Sequence, residues 1–339
     1  MSSFKVSFVI PTFNSARTLP DCLRSIREQK YPANLVEIVI ADAGSSDTTV
    51  EIAKEFRCDR IVGNPLKTGE AGKTAGIHVA TGEIIALVDS DNILDSPDWL
   101  AAMLKPFSDP GIVASEPLVY TRRPGDPAMT RYFAMLGMND PLCLFLGNYD
   151  RISMVTGKWT GLSVPAQERD GYIELALGTD NLPTIGANGF VIRRSLLDGI
   201  KWDPYFFDID IMHQAVAAGH NRVAKVRCGI VHLYCRTLGD FARKQDRRIR
   251  DFLFFSKSNE RTYPWDKQKR AGLVRFCLAT VLTLPLILQM IRGWRRQPDP
   301  AWLIHIPACW ITLWVYGLAT AKKALGFKAA ARTRDGWKQ

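Results

Sequence analysis

The amino-terminal part of this 339-residue chain alternates between short apolar runs and segments with the spacing of amphipathic helices. The runs are rich in β-branched residues, which favours buried parallel strands. Because a helical segment follows each run, the pattern predicts an α/β fold with a Rossmann-like, mostly parallel central sheet and covering helices. The predicted strands are Val6–Ile10, Glu37–Ala41, Arg60–Val62 and Ile84–Val88, and the predicted helices are Arg17–Gln29, Asp47–Phe56 and Gly72–Ala80.

Two carboxylates, Asp89 and Asp91, follow the last of these strands, with Ser90 between them. Ligands bind at the carboxyl ends of the strands in open α/β sheets. A pair of closely spaced carboxylates suits a hard divalent cation that shares its coordination with substrate phosphates. The alternative is a strand that ends in an ordinary Asp/Asn turn.

Two common nucleotide-binding signatures are missing from this part of the sequence. No GxGxxG follows the first strand, which disfavours a dinucleotide site. Gly72-Lys73-Thr74 has the last letters of a phosphate-binding loop without the upstream glycine at the required spacing.

The first and second strands also end in polar loops. The first loop is Pro11-Thr12-Phe13-Asn14, and the second runs from Asp42 to Thr48. Taken singly, each loop is explained by turn and helix-cap chemistry, because Asn, Asp, Ser and Gly favour turns and Asp47 is a good N-cap.

Taken together, IPTFN, ADAGSSDTT and ATGEIIALVDSDN resemble the amino-terminal half of family 2 glycosyltransferases with the GT-A fold, and the resemblance runs from about Val6 to about Ser256. It implies a nucleotide-sugar donor and a divalent cation, Mn²⁺ or Mg²⁺. One departure is Ala43, where the family commonly has a second Asp. The residues it assigns to the nucleotide-sugar site are Pro11, Thr12, Asn14, Asp42, Lys73, Asp89 and Ser90, with Asp89 and Asp91 serving the metal and the diphosphate.

The resemblance continues in three later segments. Gly186, Asn188 and Gly189 match the segment beside the donor sugar, although they could also be a simple turn at the start of a strand over Ile185–Ile192. Asp208 matches the catalytic base, with Phe207 in place of the family's usual Glu. An acceptor hydroxyl that attacks the sugar in an inverting transfer needs such a base. His232 follows a predicted strand over Arg222–Val231 and is a candidate metal ligand; the alternative is a packed histidine.

The last third of the chain has a different character. Residues 239–339 hold 20 Lys and Arg against 7 Asp and Glu, so the basic excess of the whole chain lies here. Two long apolar segments, Ala271–Ile291 and Trp302–Ala319, lie among these charges. Basic charge beside apolar helices indicates an anionic lipid surface, whereas no nucleic-acid-binding signature is visible.

Three domains are expected: a GT-A catalytic domain over 1–238, a basic amphipathic interface helix with its linker over 239–270, and two hydrophobic membrane helices with a basic tail over 271–339. The predicted helix Asp240–Lys257 could place its apolar stripe in a membrane interface or against the protein. The two apolar segments have spanning length, but Pro285 and Pro307 also allow a re-entrant pair.

These observations predict a metal-dependent inverting glycosyltransferase with a membrane-embedded lipid or polyprenyl-linked acceptor, in envelope glycan or exopolysaccharide assembly. The start of the chain does not resemble a signal peptide, and the seven scattered cysteines have no disulfide spacing. We therefore expect a cell-membrane protein whose catalytic domain faces the cytoplasm. The alternatives are a sugar-nucleotidyltransferase and a non-catalytic membrane partner of another glycosyltransferase.

Overall fold

The computed structural model describes residues 3–186, 188–255, 261–264 and 270–326. The strands are β1 Val6–Thr12, β2 Val36–Asp42, β3 Arg60–Gly63, β4 Ile84–Leu87, β5 Asn92–Leu94, β6 Ala114–Tyr120, β7 Ala166–Arg169, β8 Tyr172–Ala176, β9 Phe190–Arg193 and β10 Arg222–His232. The helices are α1 Leu19–Arg27, α2 Thr49–Glu55, α3 Gly69–Val79, α4 Trp99–Leu104, α5 Ala128–Leu136, α6 Leu142–Leu146, α7 Asp208–Ala217, α8 Leu238–Phe255, α9 Arg270–Leu282, α10 Leu284–Arg296 and α11 His305–Ala324.

The chain folds into two compact units, and the first, Met1–Thr121 with Leu162–Leu233, contains the sheet. The strand order is β3-β2-β1-β4-β9-β6-β10-β8-β7, and β5 pairs with β10. The strands β5, β8 and β9 run opposite to β1, while the others share its direction. The expected α/β fold is therefore confirmed, and strands β3, β2, β1 and β4 form its parallel part. The described sheet as a whole is mixed, because five of its nine pairings are antiparallel.

The strands at the centre of the sheet are buried because helices cover both of their faces. Every residue of β4 is buried, as are the apolar residues of β1 from Val6 to Ile10. Helix α3 packs so closely on β1 that a Cβ built on Gly76 would lie 2.4 Å from Cγ1 of Val9. Only glycine at this position allows that approach, which carries the amino-terminal half of α3 to the carboxyl end of β1.

The strand predicted over Ile185–Ile192 is shorter in the structure. It begins at Phe190, because Gly186, Asn188 and Gly189 have φ values of 121°, 58° and 85°. Backbone with positive φ cannot continue a strand. The described residues before Phe190 therefore form a loop, which is the alternative that the sequence left open.

The second unit consists of Arg122–Gly161 and the chain from Tyr234 onwards. Its core joins side chains from both stretches, including Tyr132, Phe133, Phe241 and Trp302. This division differs from the expected boundary at residue 238, because residues 122–161 pack with the carboxy-terminal helices. No local pattern marks them for that core.

Helix α8 does not present its apolar stripe to the outside. Phe241, Ile249, Leu253 and Phe255 are buried, and the ring of Phe241 lies 5.1 Å from that of Phe133. The expected interface helix is thus corrected on this face: its apolar side is covered by protein, while Arg243 and Arg250 are exposed. Lys257, at the end of the predicted helix, lies outside the described residues.

Exposed apolar side chains concentrate instead on the last helices, where Leu278, Leu282 and Trp314 are 57%, 67% and 72% exposed. In the described residues one helical stretch, Pro300–Ala324, is long and apolar enough to cross a membrane. Helices α9 and α10 together would make a second such stretch, but they meet at 94°. Thr283 at the corner has a φ of 60°, and Pro285 lies in the first turn of α10.

We expect Gly76→Ala to destabilise the protein. The added methyl group must displace Val9, a stiff side chain in a buried strand, and such overpacking costs about 1–3 kcal/mol. The better helix propensity of alanine returns about 1 kcal/mol at most. Chemical denaturation measures the net loss. Gly69→Ala is the matched control, since it lies in the same helix with open space around it, and an equal response of both variants would contradict the packing argument.

Candidate active site

The carboxyl ends of β1, β2, β4, β6 and β10 meet at one edge of the sheet, since these strands share a direction. The loop before β9 reaches the same edge because β9 runs the other way. All the candidate site residues lie on these strand ends and loops or on α3 and α7 beside them.

Asp42 organises the loop after β2. Its Oδ2 accepts hydrogen bonds from the backbone N–H groups of Gly44 at 2.9 Å and Ser45 at 2.8 Å. Its Oδ1 accepts from the hydroxyls of Ser45 at 2.6 Å and Thr12 at 2.9 Å. Both carboxylate oxygens are thus engaged by their own and the neighbouring loop, and Asp42 ties the ends of β1 and β2 together.

The loop after β1 is tied to its neighbours as well. Asn14 has a φ of 48°, and its Oδ1 accepts from the backbone N–H of Ser46 at 2.8 Å. The hydroxyls of Ser15 and Ser90 lie 2.9 Å apart, which links this loop to the acidic loop after β4. Pro11 is covered by α3, because a Cβ on Gly72 would lie 2.9 Å from Cβ of Pro11.

The acidic loop turns tightly after β4. The backbone N–H of Asp89 donates to Oδ1 of Asn92 at 3.1 Å, and the backbone N–H of Asn92 donates to the carbonyl of Asp89 at 2.9 Å. Asp91 leaves this turn towards β10, where its Oδ1 lies 3.5 Å from Nε2 of His232. The structure therefore brings Asp91 and His232 together.

Within the described residues no group of three or more His, Cys, Asp or Glu side chains surrounds one metal position. The set of Asp89, Asp91 and His232 stays a prediction: the turn directs Asp91 to His232, and Asp89 lies in the field of these two residues and of Lys73. Burial raises the pKa of Asp89, and the charge of Asp91 adds to that rise. These residues fit a divalent cation that one or two carboxylates bind and whose coordination substrate phosphates complete. The cation would relieve the repulsion between the carboxylates of Asp89 and Asp91.

Lys73 and Asp208 form an ion pair beside this loop. Lys73 Nζ lies 2.5 Å from Oδ2 of Asp208, and the two side chains are only 10% and 17% exposed. The other oxygen of Asp208, Oδ1, is buried and has no hydrogen-bond partner in the described part of the chain. One oxygen of this carboxylate is thus held and the other is free to accept a proton.

Burial raises the pKa of Asp208 to about 7, and the ammonium of Lys73 opposes that rise. Burial disfavours the charge on Lys73 too, but the carboxylates of Asp208 and Asp89 outweigh it and raise the pKa of Lys73. A carboxylate with a pKa near the working pH is suited to general base catalysis.

The loop before β9 lies directly against Asp208. A Cβ built on Gly186 would lie 2.2 Å from Cβ of Asp208, so no larger residue fits without moving it. The backbone N–H of Gly189 donates to the carbonyl of Leu87 at 3.0 Å and holds the other end of the loop to β4.

Asn188 lies behind the acidic loop rather than in the open. It is 4% exposed; its Oδ1 accepts from Nδ2 of Asn92 at 3.0 Å, and its Nδ2 donates to the hydroxyl of Tyr120 at 2.9 Å. The ring of Tyr120 lies 5.7 Å from that of His232. Asn188 therefore supports the loop that carries Asp91.

Several residues of this arrangement were not found from the sequence. They are Ser15, Asn92, Glu116, Tyr120 and Lys225. For Glu116 on β6 a signal was present, since it is the only charge between Ile112 and Tyr120, in a stretch of the kind that forms a buried strand. Lys225 on β10 gave no such signal, because Arg222 and Arg227 flank it.

The fold and the strand-end site define a glycosyltransferase of the GT-A type. The model of the family "Glycosyl transferase family 2" matches residues 7–200, more than half of the chain, and the chain belongs to this family.

Its relatives include the glycosyltransferase AglE of Haloferax volcanii, 28% identical over 139 residues that cover 39% of this chain and 45% of the relative. The poly-beta-1,6-N-acetyl-D-glucosamine synthase of Staphylococcus epidermidis is 24% identical over 217 residues, 62% of this chain and 48% of the relative. The matches thus cover less than half the length of these relatives.

Among solved structures, mannosyltransferase PcManGT from Pyrobaculum calidifontis, determined in complex with GDP-Man and Mn²⁺, is similar with a TM-score of 0.55 and 17% identity. The alignment covers 97% of this chain and 89% of that chain. At this identity the likeness establishes the fold alone.

We expect Asn188→Gly to destabilise the protein strongly. Glycine satisfies the positive φ, so the loss comes from the buried hydrogen bonds to Asn92 and Tyr120, where each unsatisfied group costs about 1–3 kcal/mol. Chemical denaturation measures it. Asn14→Gly is the control, because Asn14 also has a positive φ but lies in a more exposed loop. Equal stability of the two variants would argue that Asn188 does not brace the acidic loop.

Proposed function

We propose that this protein is a metal-dependent inverting glycosyltransferase that moves a sugar from a nucleotide-sugar donor to a membrane-embedded lipid or polyprenyl-linked acceptor, in envelope glycan or exopolysaccharide assembly. The observation that carries the proposal is the state of the buried Asp208 carboxylate: Lys73 holds Oδ2, whereas Oδ1 has no hydrogen-bond partner among the residues that the structure describes. This is the arrangement expected of a base that waits for a substrate hydroxyl.

In the proposed reaction the carboxylate of Asp208 takes the proton of the acceptor hydroxyl as the hydroxyl oxygen bonds to C1 of the donor sugar. The bond from C1 to the diphosphate breaks, and the nucleoside diphosphate leaves with that electron pair, so the configuration at C1 inverts. Lys73 keeps the carboxylate oriented and, with a raised pKa, stays charged throughout. Loss of the Asp208 charge on protonation is favoured by its burial.

The donor lies, in this proposal, along the strand ends that carry Pro11, Thr12, Asn14 and Ser90. Asp42 would contact the base while its oxygens also hold the loop. Asp91, with His232 and Asp89, would hold Mn²⁺ or Mg²⁺, which neutralises the developing charge on the leaving diphosphate. The loop of Gly186 and Gly189 would lie beside the donor sugar, with Gly186 packed against Asp208.

Membrane attachment is proposed from the second unit. Of the 17 large apolar residues that are exposed among the described ones, 15 lie between Leu273 and Leu325. An exposed apolar surface of that extent marks contact with a membrane or a partner. The surrounding basic residues favour an anionic lipid surface, and this supports a catalytic unit that faces the cytoplasm.

A donor screen with the full chain tests the reaction. We expect one nucleotide-sugar, with membrane lipid extract and Mn²⁺ or Mg²⁺, to give nucleoside diphosphate and a glycosylated lipid. Asp208→Asn should lower the rate by about 10²–10⁴-fold because the base is lost. Asp198→Asn, at an exposed position outside the site, is the control.

The pH profile adds a second readout. Since Asp208 must be ionised to act and its pKa is about 7, the wild-type rate should fall about tenfold per pH unit below that value. Full turnover by Asp208→Asn would refute the base assignment. Release of pyrophosphate would favour a nucleotidyltransferase instead, and inactivity with every donor would favour a non-catalytic partner.

Membrane binding is tested by flotation with vesicles that contain anionic lipid. We expect the full chain to float and Leu278→Glu/Leu282→Glu to bind at least about tenfold more weakly, because each buried leucine contributes about 1.5–3 kcal/mol. The control is Leu66→Glu, an exposed leucine of the first unit. Equal flotation of both variants would contradict the proposed membrane-binding surface. Transfer to soluble sugars as fast as to lipid would contradict the proposed acceptor.

A further inference from the structure

A charged pair lies in the core of the first unit. Glu116 on β6 and Lys225 on β10 are register partners in the parallel pairing of these strands, and neither is exposed to solvent. Lys225 Nζ donates to Oε2 of Glu116. Removing two charges from water costs several kcal/mol per ion, and their attraction offsets that cost only when the geometry is good.

The second oxygen of Glu116 has a different partner. Oε1 accepts a hydrogen bond from the backbone N–H of Gly186 at 3.0 Å. Gly186 is buried and has a φ of 121°, so its N–H points where no regular ladder would satisfy it. One carboxylate therefore joins Lys225 on a strand to the loop that lies against Asp208.

That loop leaves Asp208 little freedom. The α-carbon and Cβ of Asp208 lie 3.2 Å and 2.2 Å from the position that a Cβ on Gly186 would take. A shift of Gly186 towards Asp208 is blocked by this contact, and a shift away removes the support on that side of the carboxylate. The position of Gly186 therefore limits where Asp208 can stand.

Stability alone does not require the charges. Apolar residues of similar volume often replace a buried ion pair with no loss of stability. The property that an apolar pair would lack is an acceptor for the N–H of Gly186, and a buried N–H left without one costs about 1–3 kcal/mol.

We propose that Glu116, held in place by Lys225, is a positioning residue for glycosyl transfer: it anchors Gly186 and thereby sets the position of Asp208. This proposal rests on the proposed function, in which Asp208 takes the proton of the acceptor. It concerns neither donor nor metal, and so it predicts an effect on kcat rather than on the KM of the donor.

Two double variants separate the acceptor from the charges. Glu116→Gln/Lys225→Met removes the ion pair but keeps a carbonyl oxygen for Gly186, and the thioether is a weak acceptor for the new amide. Glu116→Leu/Lys225→Met removes both. We expect kcat of the first to stay within about threefold of wild type and kcat of the second to fall about 10–100-fold, since a small misplacement of a catalytic group costs up to about 10² in rate. The donor KM should change less than about threefold in both.

Amide hydrogen exchange at Gly186 provides a readout independent of activity. Its protection should persist in the Gln variant and drop in the Leu variant. Equal kcat and equal exchange at Gly186 in two folded double variants would overturn the proposal. A wild-type protein without transferase activity would refute the proposed function, and the exchange experiment would then decide whether Glu116 anchors Gly186.

A single variant tests the same proposal if one of the double variants does not fold. Glu116→Asp keeps the charge beside Lys225 but is one methylene shorter, so it should draw the acceptor away from Gly186. We expect lower kcat and faster exchange at Gly186 with an unchanged donor KM. An Asp variant with the kcat and exchange of wild type would also overturn the proposal.

Discussion

The close packing of α3 on β1 determines where the charges of the site can stand. Gly72 and Gly76 let the helix approach the strand closely, so Lys73, between them on the helix, reaches the carboxyl edge of the sheet. Lys73 is then the cation against which Asp208 is placed. A larger residue at position 76 would move the helix from the strand, and the ion pair would lose its geometry with it.

Two buried ion pairs serve this edge in different ways. The side chains of Lys73 and Asp208 remain slightly exposed, whereas those of Glu116 and Lys225 are wholly enclosed. Buried pairs contribute little net stability because desolvation cancels most of their attraction. Their contribution is to orient the carboxylate, because separate partners can hold its two oxygens. In Asp208 one oxygen has no hydrogen-bond partner among the described residues, and the proposed role of Asp208 as a base builds on that asymmetry.

The strands and the strand-end loops could be predicted from the sequence because their signals are local: apolar runs, turn residues and the order of the three motifs. Asp91 belongs to the third of these motifs, whereas Lys73 and Asp208 became candidates through the family resemblance. The role of Asn188 did not, because its partners Asn92 and Tyr120 are 96 and 68 residues away. The same holds for residues 122–161, whose core partners lie beyond residue 233. Pairings at such distances leave no periodic trace in one sequence.

Under the proposed membrane attachment, the helices of the second unit favour shallow insertion over two full spans. Each arm of the α9–α10 corner has 13 residues, about 20 Å at the helical rise, against about 30 Å of hydrocarbon. Helix α11 is long enough, but the hydroxyl of Tyr316 donates to Oδ2 of Asp140 at 2.6 Å, and Arg248 lies 3.4 Å from that oxygen. A spanning α11 would draw this charged pair towards the bilayer interior, at a high cost. An α11 that lies along the surface, with Trp310 and Trp314 in the interface, keeps the pair out of the hydrocarbon and leaves every basic cluster on one side.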